Sequence, residues 1–162
     1  MTHAIAIIKD EHRSMAAMLK ALLAHVAQER ERGATPDFDL ASAMLDYLQA
    51  YPERLHHPKE DETLFRLLRR RTGEAHSTLD ELEAQHVRGA EWMVRLRRAL
   101  EQARSEGSFA EFAPLLAEYA QFQWDHMRVE EEVILPLAES VLELEDWAQV
   151  ETAFAANRET GW

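Results

Sequence analysis

The chain has 162 residues, 46% of them hydrophobic, and contains no cysteine. This composition predicts one folded domain and excludes disulfides, thiolate zinc sites and iron–sulfur clusters, so that only nitrogen and oxygen atoms could hold a metal. The formal net charge of -12 gives a surface that repels phosphate backbones and anionic lipids. We therefore expect neither nucleic acid nor a membrane as a partner.

The chain shows no sign of a membrane span or a signal peptide. No segment approaches transmembrane length, and the N-terminus lacks the basic region that precedes the apolar run of a signal peptide. A cytoplasmic protein is therefore expected. These features are compatible with a homodimer and identify no protein partner.

The spacing of apolar residues predicts four long helices followed by a short one. Glycines stand where the long patterns stop, as is usual at helix C-termini. Because the intervening loops are short and no alternating strand pattern is sustained, we expect an all-α fold, an up-down-up-down antiparallel four-helix bundle with a short C-terminal fifth helix. The predicted helices cover about residues 3–31, 37–71, 75–106, 108–142 and 146–156.

The whole chain, residues 1–162, is interpreted as a single domain. The bundle takes about residues 3–142, and a helical extension takes residues 143–162. The apolar face of the extension is expected to pack across one end of the bundle. That face carries Trp147, Val150 and Phe154.

Two details of the helices are predicted from single residues. Pro52 and Pro58 remove backbone donors within the second helix, and we expect one kinked helix because the apolar stripe continues through both. Backbone carbonyls freed by the kink are expected to orient nearby imidazoles. At the start of the fourth helix, Ser108 and Glu111 have the spacing of a capping box.

The most informative feature is a repeated motif, His56-x-x-x-Glu60 and His126-x-x-x-Glu130. Residues four apart lie on one face of an α-helix, so each copy can direct an imidazole and a carboxylate toward one point. Imidazole and carboxylate are ligands of first-row transition metals, with iron, manganese and zinc all eligible. The repeat therefore predicts a metal site between two helices.

Two more histidines, His12 and His86, lie on the apolar stripes of the first and third helices. One histidine on each of four helices, with Glu60 and Glu130 able to bridge, predicts a di-metal site in the bundle core. A solvated position for these glutamates is disfavoured because both interrupt a stripe of core residues, where an unpartnered carboxylate costs several kcal/mol.

The other histidines are interpreted as lying outside the site. On an α-helix His57 is turned about 100° from His56, toward the edge of the stripe, although a register of His57 with Asp61 is the rival pairing. A structural bundle with incidental histidines is the remaining alternative. Surface or helix-end positions are expected for His3, His25 and His76.

The segments DEHR, HHPKEDETLF, LEAQH and HMRVEEEVILP, in this order and spacing, resemble the hemerythrin-like family of HHE cation-binding domains. The resemblance covers about residues 3–142. It implies a non-heme di-iron centre whose two iron ions are joined by an oxo or hydroxo bridge and by two carboxylates. Carried over by position, the terminal ligands would be His12, His56, His86 and His126, and the bridges would be Glu60 and Glu130.

The sequence departs from the oxygen-carrying members of the family in one respect. Those members place two histidines one turn apart on the third helix and use five in all, whereas Leu82 and Ala90 occupy the positions one turn either side of His86. The repair-type members, with four histidines and two glutamates, match better, although they carry an extra cysteine-containing N-terminal segment that this sequence lacks. With four histidines, both irons would keep an open coordination position.

The resemblance implies that the carboxylate-bridged site binds or reacts with a small oxidant, namely oxygen, peroxide or nitric oxide. The alternatives are an iron- or oxygen-sensing module that acts through a partner protein, and an iron-donating cluster-repair protein. No motif indicates a zinc protease, a nucleotide-binding loop or a cysteine nucleophile. At this point it stays open whether the protein is an enzyme that removes an oxidant or nitric oxide.

Overall fold

The computed structural model describes residues 2–33 and 35–162, which form helices and short connections without a strand. Each of the four long helices packs against the next, and the fourth packs against the first. The predicted all-α, up-down-up-down bundle with a fifth helix is therefore confirmed. The helices are α1 (His3–Arg32), α2 (residues 38–71), α3 (His76–Glu106), α4 (residues 112–141) and α5 (Leu144–Arg158).

Side-chain hydrogen bonds explain where the first two helices begin, and a glycine explains where α1 ends. The Thr2 hydroxyl accepts a hydrogen bond from the Ile5 amide at 3.3 Å, and the Asp37 carboxylate accepts one from the Leu40 amide at 3.0 Å. Both satisfy backbone donors that a helix leaves free at its start. α1 ends at Gly33, whose φ of 67° is left-handed and is readily adopted only by glycine.

The capping box predicted at the start of α4 is not formed. That helix begins at Phe112 without a side-chain cap, and the Ser108 hydroxyl accepts a hydrogen bond from the Ala110 amide at 3.1 Å. The prediction for Ser108 and Glu111 is wrong because the serine stabilises a turn that precedes the helix. None of the helices in the described part of the chain is long and apolar enough to cross a membrane.

Helices α2 and α4 contain wider, π-helical turns, in which a backbone hydrogen bond spans five residues. Pro52 and Pro58 lack a backbone donor, yet α2 continues through both, and the His57 amide donates to the carbonyl of Pro52, five residues earlier. Such turns are rare within helices and often mark functional sites. They occupy Gln49–His56 and Glu60–Phe65 in α2, and Glu130–Ile134 in α4.

The apolar core is divided into two clusters. One lies at the end of the bundle where α1 begins and includes Ile5 and Leu68. The other lies toward the end where α1 finishes and includes Leu22 and Leu100. Between the two clusters, all four long helices direct polar side chains inward, and these form a layer of buried histidines and glutamates. We call it the polar layer; it consists of His12, His56, His57, Glu60, His86, His126 and Glu130.

Helix α5 covers the cluster at the start of α1, and the expected apolar face is buried there. The N-terminus of α5 is attached to α2 by Asp146, whose carboxylate oxygens accept hydrogen bonds of 2.7 and 3.1 Å from Arg71. Hydrogen bonding to the Arg71 guanidinium holds the pKa of Asp146 below its ordinary value. Asp146 also accepts a hydrogen bond of 3.0 Å from the Glu143 amide and so completes a capping box.

Replacing Asp146 with asparagine should weaken this attachment. The variant loses a charge-assisted interaction with Arg71, so we expect the melting temperature at pH 7 to fall by a few degrees, roughly what 1 kcal/mol produces in a chain of this size. Since the folded-state pKa of Asp146 is lowered, its stabilisation is present above the unfolded pKa of about 4 and is lost as the pH falls through the folded pKa. Thermal unfolding at pH 7 and pH 3 measures both effects.

Glu145→Gln is the matched control, because the exposed Glu145 side chain contacts Arg71 only once, at 3.1 Å. The melting temperature of this control should be close to that of the unaltered protein. Equal losses in Asp146→Asn and Glu145→Gln would contradict the role assigned to Asp146.

Candidate metal centre

All six predicted ligands lie in the polar layer, at the middle of the bundle. Each of the four long helices supplies one imidazole, and α2 and α4 each add a carboxylate. All six residues are buried, with at most 7% of their surface exposed. They are His12 on α1, His56 and Glu60 on α2, His86 on α3, and His126 and Glu130 on α4.

The four imidazoles face one another in two pairs. The Nε2 atoms of His12 and His56 are 3.1 Å apart, and those of His86 and His126 are 3.0 Å apart. Two ligand atoms at right angles around a metal, each about 2.1 Å from it, are separated by about 3 Å. The spacing of both pairs therefore fits two nitrogens that bind one cation.

The two carboxylates connect these pairs. Glu130 places Oε1 2.5 Å from the Nε2 of His126 and Oε2 3.1 Å from the Nε2 of His12. Glu60 places Oε1 3.2 Å from the Nε2 of His56 and 3.4 Å from the Nε2 of His86. Each glutamate thus reaches one imidazole of each pair, as a carboxylate that bridges two metal ions would.

None of the four carboxylate oxygens of Glu60 and Glu130 has a hydrogen-bond partner of normal geometry. Both residues are at most 1% exposed, and burying a carboxylate without a partner costs several kcal/mol. Cations between the carboxylates and the imidazoles would compensate for this cost. The donor set therefore fits a pair of metal ions.

Each of the four imidazoles is also held through its other nitrogen. Metal-binding histidines almost always have such a partner, which fixes the tautomer and directs Nε2. The expectation that backbone carbonyls would do this is wrong, because side chains of the neighbouring helix take their place. The Nδ1 atoms of His56, His86 and His126 lie 2.7 Å from Glu11, Asp61 and Gln85, and that of His12 lies 3.2 Å from Glu131.

The polar layer favours positive charge. Burial opposes the protonation of His56, but the charge of Glu60 and the hydrogen bond to Glu11 outweigh it and raise its pKa to about 10. Burial also disfavours the anionic form of Glu130, yet the facing His126 and His12 hold its pKa well below the ordinary value. The carboxylates around His56 therefore favour a cation there, whether a proton or a metal ion.

A fifth imidazole, that of His57, lies in the same layer. Its residue is 3% exposed, its ring stacks on that of His86 with centroids 4.3 Å apart, and neither ring nitrogen has a hydrogen-bond partner. The expectation that His57 lies outside the site is therefore wrong. Ligand atoms within 4.8 Å of one another form two groups, one of His12, His56, Glu60 and Glu130 and the other of His57, Glu60, His86 and His126.

The π-helical turn before His57 explains why its side chain is buried rather than turned away from the core. On a regular α-helix, consecutive side chains are about 100° apart, so His57 would turn away when His56 faces the core. The π-helical turn Gln49–His56 changes this register, and both imidazoles are buried. A proline inside a helical pattern, close to a pair of adjacent histidines, is the one sequence signal that could have indicated it.

The remaining histidines lie away from the polar layer, as expected. His3 and His76 are exposed, and the Nε2 of His25 lies 3.0 Å from the Asp37 carbonyl oxygen at the far end of α1. The rival pairing of His57 with Asp61 is not observed, because Asp61 contacts the Nδ1 of His86 instead.

Comparison with protein families gives one match that covers most of the chain. The model of the hemerythrin HHE cation binding domain matches residues 3–138. Neither the search of curated proteins nor the search of solved structures gave a match. The matched range contains the four long helices up to Ala138 and every residue of the two candidate ligand groups. The chain therefore belongs to the hemerythrin HHE cation-binding domain family.

Proposed function

We propose that this protein binds two iron ions in the polar layer and, through them, binds or reacts with a small oxidant such as oxygen, peroxide or nitric oxide. The observation that carries the proposal is the pair of buried carboxylates, Glu60 and Glu130, which span both imidazole pairs and lack hydrogen-bond partners. A sulfur-free set of imidazoles and carboxylates suits iron. When bound, two iron ions would supply electrons to the oxidant.

The proposed ligands are the six residues predicted from the sequence, with His57 added as a seventh. The two candidate groups share Glu60 and then differ, because one has two imidazoles and the other has three. Each group has four residues, but Glu130 also lies 2.5 Å from the Nε2 of His126 and can serve both ions. The side of His12 and His56 would then have four protein donors and the other side five, so the former has more room for an external ligand. We infer that the small ligand is received on this side rather than on both sides.

A cavity between α1 and α4 supports this assignment. It has a volume of about 470 Å³ and reaches His12. Ala16, Trp124 and Met127 give it apolar walls, and the exposed Arg13 also lines it. An uncharged diatomic molecule can pass the apolar walls. The charged residues of the lining balance, because Arg13 and Arg128 are matched by Glu131 and Glu132. We propose this cavity as the route by which the ligand enters.

We further propose that residues 1–162 act as one domain, since α5 supports the site although it lies beyond the matched range 3–138. The Asn157 amide donates hydrogen bonds of 3.1 Å to both carboxylate oxygens of Glu11. Glu11 in turn holds the Nδ1 of His56 at 2.7 Å. This connection links α5 to a proposed ligand through two side chains.

The first test is the metal content of the protein purified in air. We expect two iron ions per chain and absorption in the near-ultraviolet and visible range from ligand-to-metal charge transfer. Metal analysis with an absorption spectrum measures both. A folded protein that contains no iron and takes up none from Fe²⁺ under anaerobic conditions would overturn the proposal.

The second test concerns His57. The His57→Ala variant should bind one of its two metal ions at least 10-fold more weakly, since even the loss of an outer hydrogen bond to a ligand costs about 10–100-fold. His76→Ala is the control, because His76 is exposed and away from the polar layer. Titration with Fe²⁺ against a competing chelator gives both affinities. Unchanged binding in His57→Ala would remove His57 from the ligand set.

The third test concerns the entry route. Ala16→Phe narrows the cavity that reaches His12, so we expect azide to bind the iron-loaded protein more slowly by stopped-flow absorbance, with one azide per chain at saturation. Ser14→Phe is the matched control, because Ser14 lines a separate cavity, on the α5 side of α1, that reaches Glu11 and no proposed ligand. Equal slowing by both variants would refute the assigned route.

A further inference from the structure

A buried carboxylate outside the proposed ligand set, that of Glu53, lies beside the polar layer. It is on α2, one turn before His57, and its side chain is 7% exposed. The Tyr119 hydroxyl and the Gln123 amide donate hydrogen bonds of 3.1 and 3.2 Å to its Oε1. Two donors from α4 therefore fix one oxygen of Glu53 and leave the other, Oε2, free for a different partner.

The opposite helix leaves space for this carboxylate. A Cβ atom at Gly89 of α3 would lie 2.9 Å from the Oε1 of Glu53 and 3.4 Å from the Nε2 of Gln123. Glycine inside a helix lowers helix stability relative to alanine. Its presence at this position is explained by the room that Glu53 requires. Three helices thus hold Glu53 in place.

The free oxygen of Glu53 faces His57. Its Oε2 lies 3.6 Å from the Nδ1 of His57, which is just beyond hydrogen-bond range, and His57 is the only imidazole of the polar layer without a hydrogen-bond partner. The other four imidazoles each have a side-chain acceptor at Nδ1, at 2.7 to 3.2 Å. Glu53 occupies the corresponding place for the fifth.

We propose that Glu53 is the positioning residue of His57. Its Oε2 accepts a hydrogen bond from Nδ1–H when His57 binds a metal ion, which places the proton on Nδ1 and directs the lone pair of Nε2 toward His86 and His126. The hydrogen bonds from Tyr119 and Gln123 keep the carboxylate from turning away. This inference rests on the proposed function, because it assigns a role to Glu53 through His57.

The test compares two substitutions that keep much of the side-chain volume. Glu53→Leu removes both acceptor oxygens, whereas Glu53→Gln keeps one. With Zn²⁺ as the probe and a competing chelator, we expect Glu53→Leu to weaken the binding of one of the two ions by about 10–100-fold. The Zn²⁺ affinity of Glu53→Gln should be much closer to that of the unaltered protein. Glu29→Leu is the control, since Glu29 is also buried but pairs with Arg32 at the far end of α1.

A double variant separates positioning from a general effect on the fold. If Glu53 acts through His57, adding Glu53→Leu to His57→Ala causes no further loss of affinity. The visible spectrum of the Co²⁺-loaded protein, which reports the ligands around each ion, should change in the same way in both single variants. Equal loss caused by Glu53→Leu in the presence and in the absence of His57 would overturn the inference.

Gly89→Ala provides an independent variant should Glu53→Leu fail to fold. Alanine favours the helix, but its Cβ displaces the Glu53 carboxylate, so we expect weaker Zn²⁺ binding in a protein that still folds. Unaltered affinity in both Glu53→Leu and Gly89→Ala would refute the role of Glu53 while leaving the metal centre intact. Failure of the unaltered protein to bind two ions would refute the proposed function instead.

Discussion

The structure depends on two carboxylates buried in the middle of a helical bundle. Glu60 and Glu130 are at most 1% exposed, and their oxygens lack hydrogen-bond partners. A bundle of this size could fill the same space with apolar side chains at lower cost. The carboxylates are tolerated because histidine nitrogens surround them. The division of the apolar core into two clusters follows from this layer.

The outer hydrogen bonds of the imidazoles form a closed ring around the bundle. In each case one helix supplies the acceptor for the histidine of the next helix, and α4 supplies the acceptor for α1. Each acceptor is also the immediate sequence neighbour of a predicted ligand. A helix that carries one predicted ligand therefore orients another, so the polar layer couples the packing of all four long helices. The pairs of neighbours are Glu11 with His12, Asp61 with Glu60, Gln85 with His86 and Glu131 with Glu130.

The two halves of the polar layer are chemically different. His57 adds a third imidazole beside His86 and His126, whereas the half with His12 and His56 has two and adjoins the cavity between α1 and α4. In contrast to the oxygen carriers, the third helix of this chain supplies only one histidine, His86. In the folded chain a second histidine from α2 occupies the neighbouring space. The number of histidines on one helix therefore does not give the number around the site.

Much of the architecture followed from local properties of the sequence. The periodicity of apolar residues predicts the helices and their order, because a stripe of core residues must face its neighbours. The four-residue spacing in His56-x-x-x-Glu60 and His126-x-x-x-Glu130 placed each pair on one face, and the structure brings all six predicted residues together. The prediction for the start of α4 was less accurate. Ser108 and Glu111 have the spacing of a capping box, but the serine stabilises the turn before the helix.

The sequence by itself thus determined the fold class, the order of the helices and the six residues that meet at the middle of the bundle, because these depend on helical periodicity. Tertiary structure alone decided the position of His57, since a π-helical turn changes the register that a regular helix would give. It also decided the acceptors of the imidazoles and the location of Glu53. Those contacts join different helices, and their formation depends on how closely the helices pack, which spacing along one chain does not specify.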